Sequence, residues 1–149
     1  MNDKGPSPRP VVMVCISCRV ATAPDASPPD SSPPESSPSE SSQSEAPRAG
    51  GLLADATLAA AADSAVSVQR VRCLGNCNRG LSAAIRAQHT WSYVFGGLDP
   101  AADGPSLIIG AQLLAQSADG LMPWRERPEC LKRGLIARMP PQDFSGELP

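Results

Sequence analysis

Two cysteine couplets constrain this chain more than any other feature. One is Cys15-Ile16-Ser17-Cys18 and the other is Cys73-Leu74-Gly75-Asn76-Cys77. Each follows a run that reads as a β-strand, so each places two thiols at a strand end. Four thiolates can close a coordination sphere around zinc or an iron–sulfur cluster. A fold that serves such a site must bring the two loops together, although a long stretch of chain separates them.

Much of that stretch cannot help to build a core. From Thr22 to Arg48 the chain is Pro, Ser and acid, with no aromatic or branched aliphatic residue. It cannot bury enough apolar surface to offset its ordering entropy, so residues 22–48 are expected to be a disordered insert. Asp25, Asp30, Glu35, Glu40 and Glu45 against Arg48 give it a net charge of −4. The insert does not keep the couplets apart, because loop closure costs only about 0.6 kcal/mol per doubling of length. The rest, roughly 120 residues, suits one domain. That domain is expected over residues 11–21 and 49–121.

The order of elements follows from periodicity. Val11–Val14 is a short β-branched strand leading into Cys15. Gly51–Ala65 reads as a helix with Leu52, Leu53, Ala56, Ala59 and Ala60 on one face. Val66–Arg72 is a second strand, ending at Cys73. Leu81–Ala87 alternates as a strand should, and Trp91, Tyr93 and Phe95 alternate in the next one, with Gln88-His89-Thr90 as the turn between them. Gly104–Gly120 reads as a second helix, with Pro105 near its start. Residues 122–149 hold Pro123, Pro128, Pro140 and Pro141 and are expected to be an irregular, Arg- and Pro-rich tail. The order β–insert–α–β–β–β–α–tail predicts an α/β fold with a small mixed sheet and two helices.

Composition narrows the functional classes. The net charge of −2 argues against a dedicated nucleic-acid binder. No apolar run nears the roughly 20 residues that span a bilayer, and the polar start lacks a signal-peptide pattern, so no membrane partner and a cytoplasmic location are expected. There, five cysteines point to metal or redox chemistry rather than to structural disulfides. A single histidine, without a G-x-S-x-G, H-E-x-x-H or Walker motif, leaves hydrolysis and phosphoryl transfer without support. An electron carrier or metal-binding protein is therefore expected before an enzyme.

Three readings of the couplets stay open. The first is a metal or cluster site, with Gly75 permitting the tight loop. In the second, Cys15 and Cys18 exchange thiol for disulfide. Such a pair usually opens a helix, and no helix start follows Cys18 directly. The third takes all four as ordinary buried thiols. Cys130 stands alone and reads as a packed thiol, and His89 as a surface turn residue. The arginines around Trp124-Arg125-Glu126-Arg127 read as a solvated tail or as a docking surface for an anion or partner.

Both couplets, together with Trp91-Ser92-Tyr93-Val94-Phe95-Gly96 and Asp119-Gly120-Leu121-Met122-Pro123-Trp124-Arg125-Glu126-Arg127-Pro128, carry a resemblance. They resemble an uncharacterised bacterial family of predicted metal-binding proteins, similar to the thioredoxin-like [2Fe–2S] ferredoxins, whose genes tend to lie near cobalamin biosynthesis genes. The likeness covers Val11–Ser17 and most of Gly51–Pro141. It implies a thioredoxin-like ferredoxin fold, with Cys15, Cys18, Cys73 and Cys77 as ligands of a [2Fe–2S] cluster. It also implies one-electron transfer to a redox partner protein, linked to cobalamin metabolism and compatible with a homodimer. The alternative is a zinc or cobalt site in a structural or metal-handling protein.

Overall fold

A computed structural model describes residues 9–18 and 48–146. The expected insert falls almost entirely outside the described residues. Among the described residues, nine elements follow one another. Strand β1 (Val11–Cys15) comes first, then helix α1 (Ala49–Ala61) and strand β2 (Ser67–Val71). A single 3-10 turn, Cys77–Arg79, precedes strands β3 (Ala83–Arg86) and β4 (Ser92–Phe95). Helix α2 (Gly104–Gln116), helix α3 (Glu129–Arg133) and strand β5 (Leu135–Met139) complete the chain.

The five strands form one mixed sheet in the order β2-β1-β3-β4-β5. β1 and β2 run parallel, joined through α1, while β1–β3, β3–β4 and β4–β5 are antiparallel. This is the small mixed α/β fold that the sequence implied. Alternation along β1 explains its central place: Val12 and Val14 are fully buried, whereas Val11 and Met13 on the other face are half-buried. Val12, Val14, Ile85, Tyr93 and Phe95 pack with Leu53, Leu107 and Leu114 of the helices. Burying each aliphatic side chain of this kind contributes about 1.5–3 kcal/mol.

The two long helices meet closely. A Cβ on Gly104 would lie 2.8 Å from the Ala56 carbonyl carbon, so only glycine lets α2 start against α1. Both helices end earlier than periodicity predicts. After α1, the Ser64 hydroxyl donates to the Ala61 carbonyl (3.0 Å). After α2, the Ser117 hydroxyl donates to the Leu114 carbonyl (2.9 Å), and Gly120 turns the chain at φ +75°.

The tail departs most from expectation. Residues 122–149 were expected to be irregular, and the domain to end near 121; instead α3 and β5 lie here, and β5 extends the sheet beside β4. Pro128 does not break the helix but precedes its first turn, where the missing N–H costs nothing. β5 is held by non-local bonds: Gly96 N–H donates to the Gly134 carbonyl (2.8 Å), next to the β4–β5 ladder. Phe144 packs edge-on against Trp91 at 5.7 Å between ring centroids. The third, five-residue helix adds to the two that were expected. Among the described residues, no helix is long and apolar enough to cross a membrane.

Candidate functional site

The site is built at one end of the sheet. In the parallel β1–β2 pair, Cys15 stands opposite Val71. Both strands therefore finish at the same edge, and both couplets leave from it. Ile16 N–H donates to the Val71 carbonyl (2.9 Å), continuing the ladder into the first couplet. The Cys15 thiol donates to the Arg72 carbonyl at 3.6 Å, the residue just before Cys73.

Ser82 joins the two loops. Cys15 N–H donates to the Ser82 carbonyl (3.0 Å). The Asn76 side-chain amide, inside the second couplet, donates to the Ser82 hydroxyl (2.9 Å). Ser82 is fully buried, so leaving one of its polar groups without a partner is costly. Gly96 leaves room for the loop, since a Cβ there would lie 2.6 Å from the Arg79 carbonyl oxygen.

The four thiols differ in exposure. Cys15 and Cys18 are buried, and Cys73 and Cys77 are exposed; all are free. Gly75 takes φ +72°, the left-handed conformation that glycine adopts at little cost, and its N–H donates to the Cys73 sulfur at 3.2 Å. Such N–H···S bonds are one of the contacts through which a protein adjusts a bound cluster. Among the described residues, no three His, Cys, Asp or Glu side chains are already gathered around a common point. The donor set suits a cluster or zinc, and the register of β1 and β2 brings its two halves to one edge.

Helix α1 alters the view of the first couplet. No helix start follows Cys18 in sequence, yet the first turn of α1 reaches it in space. Gly50 N–H donates to the Cys18 carbonyl (3.0 Å), and a Cβ on Gly50 would lie 2.2 Å from the Cys15 carbonyl oxygen. Arg48 gives this helix no side-chain cap, so the couplet's backbone satisfies one of its free donors. Gly50 and Ser82 had no local signal for this role, because their contacts with Cys15 join residues distant in sequence.

Cys130 is half-buried on α3, and burial pushes its thiol pKa up. His89 lies in the β3–β4 turn at φ +60° and bonds to the Asp143 carboxylate at 2.9 Å. That bond, with the Asp143 backbone amide, holds the exposed carboxyl below its usual range.

The fold and site define a small mixed α/β protein that presents two cysteine couplets at one end of its sheet. Residues 35–141 match the family described as "Protein of unknown function (DUF1636)", and the chain belongs to that family. The matched range holds Cys73, Cys77 and Cys130, whereas Cys15 and Cys18 precede it. No curated protein and no solved structure matches the chain.

Proposed function

We propose that this chain is a [2Fe–2S] ferredoxin-like protein that holds its cluster on Cys15, Cys18, Cys73 and Cys77 and passes single electrons to a redox partner protein. The observation that carries this reading is the register of Cys15 opposite Val71, which sends both couplets out from one edge. All-thiolate donors suit iron–sulfur clusters, and a bound cluster would supply one-electron exchange. The protein's own residues supply the surroundings. Burial of Cys15 and Cys18 keeps water from one side, and exposure of Cys73 and Cys77 leaves the other open to a partner. The Gly75 N–H on the Cys73 sulfur is a contact that tunes cluster potential. A link to cobalamin metabolism rests on the family resemblance alone.

Zinc or cobalt accepts the same thiolates, so ligand type does not separate that alternative from a cluster. A specific contact favours a different reading, dithiol exchange by Cys15 and Cys18. The Gly50–Cys18 bond sets the first turn of α1 against the backbone of this couplet, so the fold supplies in space the helix start that does not follow Cys18 in sequence.

Anaerobic purification with a visible spectrum and assays for iron, zinc and acid-labile sulfide tests the proposal. About two irons and two sulfides per chain are expected for a [2Fe–2S] centre. Zinc without sulfide would overturn the ferredoxin reading in favour of a structural or metal-handling role. No metal, with selective alkylation of Cys15, would establish the dithiol reading.

A further inference from the structure

Away from the couplets, a cleft of about 510 Å³ lies over the β4–β5 edge of the sheet. Arg127 lines it and is only 7% exposed. The guanidinium sits over two aromatic rings, 5.3 Å from the Tyr93 centroid and 5.1 Å from the Trp124 centroid. Its Nη2 donates to the Met122 carbonyl (2.7 Å), but its Nε is buried without an acceptor. No carboxylate pairs with Arg127 among the described residues. Leaving a buried charged donor unsatisfied costs about 1–3 kcal/mol or more, and charged side chains are seldom fully buried unless paired. Burial and the nearby Arg138 guanidinium both pull the Arg127 pKa down.

The rest of the lining limits what could pair with it. Trp124, 58% exposed, and Leu135 offer apolar surface. Arg138 adds a second cation and Asp119 one negative charge to the wall, and beside the lining Lys132 stands over the Trp124 ring at 5.7 Å. A guanidinium fork pairs bidentately with a carboxylate or a phosphate, and the Asp119 charge repels a doubly charged phosphate more than a singly charged carboxylate. The volume lies within the range of small-molecule sites.

We propose that this cleft binds a small amphipathic monocarboxylate, with its carboxylate on Arg127 and its apolar body against Trp124 and Leu135. The site is separate from the cysteine couplets and does not depend on their chemistry.

Calorimetric titration of the full chain with 3-phenylpropionate tests the proposal, with 3-phenylpropanamide and phenyl phosphate as comparators. Saturable binding of the carboxylate is expected, at least tenfold tighter than the neutral amide or the phosphate. Arg127→Lys should weaken it tenfold or more. Asp119→Asn keeps the oxygen that accepts the Leu121 N–H (3.0 Å), removes the charge, and should tighten carboxylate binding and admit the phosphate. A gain of affinity does not arise from misfolding, so this variant guards against a simple loss of structure. Equal binding of acid and amide, no saturable binding, or an unchanged Asp119→Asn variant would each overturn the assignment.

Discussion

The backbone N–H of Gly50 donates to the carbonyl of Cys18 at 3.0 Å, joining the first turn of α1 to the first couplet. The contact tolerates no Cβ, which would fall 2.2 Å from the Cys15 carbonyl oxygen. Gly50→Ala must push α1 away from β1 or distort the couplet. We expect a loss of about 2–3 kcal/mol, the upper range for overpacking. Urea denaturation checks this, and Gly51→Ala, whose Cβ meets nothing, should not destabilise the protein.

The two couplets should act together. Serine at Cys15, Cys18, Cys73 or Cys77 is expected to remove most of the bound iron and sulfide, whereas Cys130→Ser should leave both unchanged. Metal analysis of the five variants distinguishes a four-thiol site from adventitious binding by exposed thiols.

Deletion of Asp25–Glu45 should leave metal content unchanged, because that stretch contains no cysteine or histidine. A sharp fall on deletion would show that the domain boundaries drawn from the sequence are wrong.

Tyr93 is 1% exposed, and its hydroxyl oxygen accepts the Met122 N–H at 2.9 Å. Tyr93→Phe leaves that buried donor without a partner. The expected cost is about 1–3 kcal/mol, read from the denaturation midpoint.

Cys130 sets an alkaline limit. Burial raises its folded pKa above the ordinary thiol value of about 8.5. Its contribution to stability is therefore fully present below that ordinary value and is lost as pH rises through the folded one. Melting curves across this window should fall more steeply for the native chain than for Cys130→Ser. Once metal is removed, iodoacetamide should also modify the exposed Cys73 and Cys77 before Cys130.

The mixed α/β class and the order of the first six long elements are legible in local patterns of the chain. Val12 and Val14, the Trp91–Tyr93–Phe95 alternation and the helical run that starts at Gly104 are local patterns, and each states a period that one face can bury. Local sequence also marks all four thiols of the couplets. How those thiols are set depends on long-range pairing. Parallel pairing brings Cys15 opposite Val71, Ser82 ties one loop to the other, and α1 seats its first turn on Cys18. The same reason explains β5: Leu135–Met139 has a weak local signal and becomes a strand because β4 offers it a ladder. Arg127 reads only as part of a solvated tail or a docking surface until Tyr93 and Trp124 enclose it. Local propensity depends on neighbours in sequence, whereas register, close approach and burial depend on residues that only the folded chain brings near.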